Sequence, residues 1–450
     1  MIDRRRFIGA MGAGSLMAMF PLSALAAAPR VVVVGGGMAG ATVAKYLRLW
    51  SGKTIDVTLV TPATSYTSNI MSNLVITGQV AYSALNFTYA NLTKSYGVKV
   101  VTGTVSAVNG FGSNAGGTVT VVNGPTSTQL SCERVVLAPG VQFDPVPLTE
   151  NAALAAPVVH AWQAGQQTLD LQKLLAGMPN GGTFVMSIPA KPYRCPPGPY
   201  ERACVVADYL KRNKPGAKII VLDANPGIVA EPTNFGNAFQ SYFAAGVLEY
   251  WPSTAVVSAS NTSVPGRSQS VTVNVAGSGA MMPAGVSGVR TLAGDVVNLI
   301  PPHRAPQIAS LAGVVPAGSR FAPVDVLNYE STLVRKIHIV GDAADTTLPK
   351  AGHVGNQEAK ICAAAIINAF KNQAPDPAPT ANSACYSPID STRASWLTVV
   401  YQYDPATKKM VAWDGVLNQP GAPTEAASPS TGNFSKMSTW YKVLMSDSFA

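Results

Sequence analysis

Charge is scarce in this chain: 23 acidic and 32 basic residues make up 12% of it, and they leave a formal net charge of +9. The basic residues are scattered, and no stretch interleaves them with aromatics as a nucleic-acid surface requires, so that class of partner is excluded. A docked acidic protein or a small anion suits the excess better. Past the first 26 residues no apolar run is long enough to span a bilayer, and no membrane span is expected. The motif C-x-x-C-H is missing, so any haem would belong to a partner. Cysteine is sparse and odd in number: Cys132, Cys195, Cys204, Cys362 and Cys385 leave at least one thiol unpaired unless it bonds another chain. Cys132, opening a strand-like run, and Cys362, in an apolar helical pattern, read as core residues. What remains is 47% hydrophobic with 40 glycines, a well-packed globular composition. At 450 residues the chain exceeds one ordinary core and predicts two or three domains.

The first residues read as an address. Arg4, Arg5 and Arg6 precede Phe7 and Ile8, a Gly/Ala-rich apolar run follows, and Ala24-Leu25-Ala26 closes it as a small-x-small cleavage site. Paired arginines before Phe7 resemble the twin-arginine export signal. Residues 1–26 are therefore expected to be removed, leaving a soluble periplasmic protein that starts near Ala27, in an oxidising compartment.

Next comes R-V-V-V-V-G-G-G-M-A-G-A from Arg30, with Gly35, Gly37 and Gly40 in G-x-G-x-x-G spacing between a β-branched run and a helical pattern from Thr42 to Trp50. In a dinucleotide fold the first glycine makes the turn, the second admits the pyrophosphate and the third lets helix and strand pack. The next strand, Asp56 to Val60, should end in an acid for the adenosine ribose; it ends instead at Thr61, a weaker partner. Glu133 to Gly140, with Ala138-Pro139-Gly140 as its turn, and Lys336 to Ala344, delivering Gly341-Asp342, read as two further strands of the same domain. The helix that follows, beyond Lys350, should aim its positive end at the ligand. Three such pieces, with the middle of the chain between the second and third, argue for a split FAD domain.

The inserted middle has its own strand-helix-strand pattern: Thr183 to Ile188, Tyr200 to Lys211, Lys218 to Asp223. Where a nicotinamide domain needs bare backbone, this one has P-A-K-P-Y-R-C-P-P-G-P-Y-E-R-A, rigid and rich in side chains. Lys191, Arg194 and Arg202 lie near Cys195, and the expectation is that their charge favours the thiolate. The residues alone leave two readings, a reactive thiol and an incidental cysteine in a proline-rich loop. After Phe370 the composition turns to Pro, Ala, Asn and Ser, a linker into a third region with Cys385 and an aromatic segment around Trp440 and Tyr441. Polar residues interrupt that segment too often for a membrane anchor.

From about Pro29 onward the chain resembles the flavoprotein subunit of flavocytochrome c sulfide dehydrogenase. The motifs that carry the likeness are V-V-V-V-G-G-G, H-A-W-Q-A-G-Q-Q-T (160–168), Y-R-C-P-P-G-P-Y-E-R-A, N-L-I-P-P-H-R-A (298–305), V-G-D-A-A and A-C-Y-S (384–387). The resemblance implies an α/β fold of two Rossmann-like domains, the FAD domain (29–148 and 296–375) split by the second (149–295), with a small C-terminal domain (376–450). It implies a redox-active disulfide between Cys195 and Cys385 beside the flavin, opened by sulfide or a related small sulfur compound, with electrons passing through FAD to a c-type cytochrome subunit. A purely structural bridge is the plainer alternative, and it leaves the Pro-Pro lock unexplained. FAD contacts are expected at Gly35, Gly37, Gly40, Thr61, Asn69, Ala138, Gly140, Gly341, Asp342 and Lys350. In the family a cysteine in the stretch matching Tyr66 to Asn73 commonly links to the flavin; Asn69 stands there, so FAD is expected to be non-covalent. His303, Lys350 and His353 are alternatives for a proton relay. A sulfide:quinone oxidoreductase and a flavin-binding protein without sulfide turnover are the rival readings.

Overall fold

The computed structural model describes residues 27–113, 115–146, 158–262, 267, 269–413 and 421–450. The expected export signal and the expected boundary at 148/149 lie outside these residues. Four valines after Arg30 form a strand, Arg30–Val34, that is buried on both faces, as a central parallel strand requires. It pairs in parallel with Asp56–Thr61 on one side and Arg134–Leu137 on the other. Ile337–Ile339 then pairs in parallel with Arg134–Leu137, although about 200 residues separate them in sequence. The eight-stranded sheet is thus assembled from both ends of the chain, and the two expected halves of the FAD domain meet in it.

The helix after the glycine turn runs Met38–Trp50 and starts earlier than its apolar periodicity suggested. Gly40 belongs to its first turn, where a Cβ would lie 1.8 Å from the Gly35 carbonyl oxygen. Gly35 itself has φ +106° and would put a Cβ 2.2 Å from the Ala138 oxygen. Gly35 therefore requires glycine for conformation and closeness, and Gly40 for closeness alone.

A second parallel sheet is ordered Leu248–Trp251, Lys218–Asp223, Thr183–Ile188, Val296–Leu299. Val296–Leu299 pairs with Thr183–Ile188, so this sheet extends past the boundary expected at residue 295. The pattern from Tyr200 is a helix, Gly198–Asn213, preceded by Pro197 and holding Pro199 in its first turn, where a missing N–H costs nothing. Twelve of its sixteen residues are buried, because it lies between the second sheet and the C-terminal region.

That C-terminal region is an antiparallel sheet of Thr380–Pro388, Ala394–Asp404 and Lys409–Trp413, with Thr424–Glu425 added on Ala394–Asp404. It ends in the helix Thr431–Phe449, whose N-cap Ser430 accepts a hydrogen bond from the Asn433 amide. This helix returns to the first: Lys45 Nζ donates to the carbonyls of Ser446 and Asp447, and Tyr66 stacks on Phe449 with centroids 5.0 Å apart. Among the described residues no helix is long and apolar enough to cross a membrane. Cys132 closes the strand Thr126–Cys132 rather than opening one; like Cys204 and Cys362 it is buried.

Candidate functional site

All three regions border one cleft, whose empty space is about 1260 Å³ counting its open mouth. Gly37 and Met38, Ala138 and Gly140, and Gly341 and Asp342 come to it from the ends of three parallel strands of the first sheet, where open α/β sheets hold ligands. Asn69 lines it from the segment that precedes the short helix Ser72–Ile76. Two longer helices begin at it, Met38–Trp50 and Gly352–Phe370, and neither has a side chain capping its first N–H groups. Free N–H groups and a positive helix end make an anion seat. A Cβ on Gly140 would meet nothing within 4 Å, so the backbone there is open to an incoming group. Two such helix starts, bare backbone and a long cleft fit the pyrophosphate and ring system of FAD.

Cys195 and Cys385 line the same cleft, and both are free thiols in this structure. Cys195 arrives on the loop before the helix Gly198–Asn213, and Cys385 on the strand Thr380–Pro388. Backbone hydrogen bonds on either side hold the first thiol. Cys195 takes left-handed φ of +60°, its N–H donates to the Lys350 carbonyl at 2.6 Å, and its carbonyl accepts from the Gly198 N–H at 2.9 Å. Strain of that kind persists only where the surroundings dictate it. A Cβ on Gly198 would approach Cys195 Sγ to 2.9 Å and the Trp162 ring to 3.0 Å, so the sulfur rests directly against the helix start.

The charge balance around Cys195 reverses the sequence expectation. Burial pushes its thiol up to about 12, and the neighbouring Glu201 carboxylate pushes the same way, against smaller opposing pulls from the Gly198 N–H and Arg194. Burial also holds the Cys385 thiol well above its ordinary value. The three cations do not prevail because two of them are engaged elsewhere. Arg202 is fully buried and donates to Asn73, Asn298 and the carbonyls of His160 and Ala161. Arg194 donates to the Trp162 carbonyl and faces Asp342 at 3.7 Å. Lys191 is exposed.

The other expected contacts divide. Gly35 and Gly40 shape the turn without lining the cleft. Thr61 is buried beneath that turn, 3.3 Å from the Ala63 carbonyl and 3.5 Å from the Tyr89 hydroxyl, and does not line the cleft. Lys350 gives the site its carbonyl but turns its amine away, to the Ala344 carbonyl at 2.7 Å and over the Phe321 ring. Of the three relay candidates, His353 alone reaches the cleft, with Nδ1 accepting from the Ala384 N–H. His303 is buried with neither ring nitrogen hydrogen-bonded, and desolvation with Arg194 nearby lowers it to about 3.

Sequence reasoning missed Glu201. It lines the cleft one helical turn beyond the loop, its Oε1 accepts from Asn73 Nδ2 at 2.9 Å, and burial raises its carboxyl to about 8. Its position in the first turn of the helix after Cys195 was the available signal. Trp162, Tyr386 and Trp440 complete an aromatic wall, brought together from three stretches that lie far apart in the sequence.

Residues 168–301 match the family model described as the central part of the sulfide dehydrogenase [flavocytochrome c] flavoprotein chain, and residues 29–172 match that of the pyridine nucleotide-disulphide oxidoreductases. The sulfide dehydrogenase [flavocytochrome c] flavoprotein chain of Chlorobaculum thiosulfatiphilum is 54% identical over 46 residues, 10% of this chain and 94% of that relative. The chain belongs to the flavocytochrome c sulfide dehydrogenase flavoprotein family. It is an FAD-linked oxidoreductase, and FAD is its implied cofactor. Solved structures extend the likeness in fold alone. The sulfide:quinone oxidoreductase of Aquifex aeolicus superposes with TM-score 0.70 at 15% identity, covering 94% of this chain and 91% of that one. A covalent putidaredoxin reductase–putidaredoxin complex gives 0.61 at 16% identity, over 94% of each chain. The NAD-dependent persulfide reductase of A. fulgidus gives 0.58 at 14% identity, over 93% and 77%. The two-Rossmann architecture expected from the sequence is therefore the fold of this family member.

Proposed function

We propose that this flavoprotein oxidises sulfide, or a related small sulfur compound, at a Cys195–Cys385 disulfide and passes the electrons through FAD to a c-type cytochrome. The observation that supports this most is the meeting of two thiols, 190 residues apart in sequence, in the cleft that also holds the dinucleotide glycine turn. In this reading the split division of the chain, with the FAD domain interrupted near 149–299, serves to carry the Cys195 loop onto the cofactor cleft. Gly37, Ala138, Gly140, Gly341 and Asp342 hold the cofactor together with the two helix starts, and Gly35 and Gly40 keep the turn tight enough for them to do so. Among the described residues the cleft is lined by no thiols other than Cys195 and Cys385, and Asn69 stands in the flavin-linking segment, which supports non-covalent binding.

FAD bound there supplies two-electron acceptance and one-electron release. The residues of the chain manage the sulfur. The left-handed backbone at Cys195 and the Gly198 contact fix its Sγ for in-line attack along the S–S axis. Both cysteines are strongly disfavoured as thiolates by burial, so an opened disulfide must gain protons, and Glu201, protonated near neutral pH, is placed to give one. Trp162 and Trp440 exclude water from the same space. Export by the twin-arginine route into the periplasm completes the reading, since it delivers a folded flavoprotein to a compartment where a disulfide persists.

Anaerobic titration of the purified protein with sulfide, read in the visible flavin spectrum, tests the proposal. Bleaching that is lost in Cys195→Ser, and colour restored by a c-type cytochrome, is the expected result. A flavin indifferent to sulfide rejects the donor, and recovery with a quinone but not with cytochrome rejects the acceptor. Flavin that stays with the precipitate in acid rejects non-covalent binding.

A further inference from the structure

A second carboxyl lies close to the thiols without lining the cleft. Glu231 is fully buried, and among the described residues its Oε2 is the buried carboxylate oxygen with no hydrogen-bond partner. Its backbone is held in the left-handed region, φ +50°, at the N-cap of the helix Pro232–Ala244. A strained non-glycine residue with a buried, half-satisfied acid is costly to keep, which points to a task. Its Oε1 accepts a 2.5 Å hydrogen bond from Ser387 Oγ. Ser387 lies two residues beyond Cys385 on the strand Thr380–Pro388, and strand alternation puts both side chains on one face, about 7 Å apart.

The surroundings of Glu231 raise its carboxyl toward neutral pH. Burial raises its carboxyl to about 7 against the steadying hydroxyls of Ser387 and Ser395, and the Glu425 carboxylate adds to the rise. Glu425 accepts from the Thr233 and Asn234 amides at the same helix start. The other titratable groups that feel Glu231 are Glu201 and Cys204 on the helix Gly198–Asn213 and Cys385 on its strand. Glu201 bears on both redox cysteines, whereas Glu231 bears on Cys385 and is not among the groups acting on Cys195.

We propose that Glu231 holds the proton that Cys385 takes up when the Cys195–Cys385 bond opens, with the Ser387 hydroxyl and one water as the bridge. The inference rests on the disulfide chemistry proposed above. Hydrosulfide attacks Cys195 Sγ; an S–S bond forms there, the bond to Cys385 breaks, and Cys385 leaves with the electron pair as a thiolate. Across the remaining gap one water passes a proton to that thiolate and takes one from Ser387, which regains its own from Glu231. The products are a persulfide on Cys195, a thiol at Cys385 and a carboxylate at Glu231, so atoms and charge balance and no outside oxidant enters. Re-formation of the disulfide returns the proton. Glu231 is a proton-holding residue here and touches neither substrate nor cofactor.

The test uses the oxidised, flavin-loaded protein and two reductants, sulfide and a water-soluble phosphine, which opens a disulfide whatever the natural donor. Appearance of the Cys385 thiol is followed by rapid alkylation and mass spectrometry between pH 5.5 and 8.5. Glu231→Gln is expected to slow it at least about tenfold at pH 7 with either reductant, and to remove an inflection near pH 7. Ser387→Ala, which keeps the carboxyl, is expected to slow it similarly, and it keeps the proposal testable if Glu231→Gln fails to fold. A folded Glu231→Gln or Ser387→Ala protein with the wild-type rate and pH profile overturns the role of Glu231. A wild-type protein that phosphine reduces as predicted but sulfide does not leaves this proposal supported and rejects the sulfide reading; a wild type with no disulfide overturns both.

Discussion

The turn after Arg30–Val34 and the turn after Thr183–Ile188 occupy equivalent places in two parallel sheets, each between a buried strand and a buried helix. The first is bare: Gly35 and Gly40 pack against backbone, and Gly37 leaves N–H groups facing the cleft. The second is crowded. Prolines, Tyr193, Arg194 and a strained Cys195 fill the space where phosphate would lie. The acid at the end of the second sheet's next strand, Asp223, is occupied as well, accepting from Tyr200, Tyr250 and Asn225. One supersecondary unit thus serves opposite chemistries, an anion seat where side chains are removed and a thiol mount where they are added.

Substitutions in either turn separate the two roles. Filling the first turn should do most damage: Gly40→Ala puts a Cβ on the Gly35 carbonyl oxygen, so flavin content should fall to near zero with a loss of about 3 kcal/mol or more, read by denaturant unfolding. Emptying the second should spare the fold and end the chemistry. Cys195→Ser should bind flavin normally while sulfide-dependent bleaching slows by more than about a thousandfold in stopped-flow absorbance.

Glu201→Gln should act more mildly, about tenfold on the same rate, and should also change the pH dependence of stability. The folded Glu201 carboxyl is raised to about 8, above its unfolded value. Its contribution is therefore complete below the unfolded carboxylate range and is lost as pH rises through 8. The wild-type melting temperature should fall between about pH 5 and 8, and the variant's fall should be shallower. The smallest effect belongs to NADH, which should leave the flavin spectrum unchanged in a spectrophotometric titration, because the second turn offers no bare backbone and Asp223 no free oxygen.

Much of this was legible in the sequence because it is local. The β-branched runs, the glycine spacing, the Gly341-Asp342 turn and the proline-locked Cys195 each declare themselves within a dozen residues, and their order suggested the split domain. What escaped notice depends on burial. Three basic residues near Cys195 read as thiolate support, yet the fold engages Arg202 and Arg194 elsewhere and desolvation decides the thiol's state. Thr61 and Lys350 stand at the expected positions along the chain, but their side chains turn away from the cleft, a direction that spacing does not reveal. Glu201 and Glu231 are ordinary acids in sequence, and only their burial within electrostatic reach of Cys385 makes them chemically distinctive.

The central claim is that Cys195 and Cys385 form one redox couple. Peptide mapping of the air-oxidised protein, alkylated before and after anaerobic sulfide, tests it directly. A redox couple requires a Cys195–Cys385 linked peptide in the oxidised sample that becomes two separately alkylated peptides once sulfide is added. Both cysteines alkylated in the oxidised sample, or a linkage that sulfide leaves intact while the flavin bleaches, would contradict it.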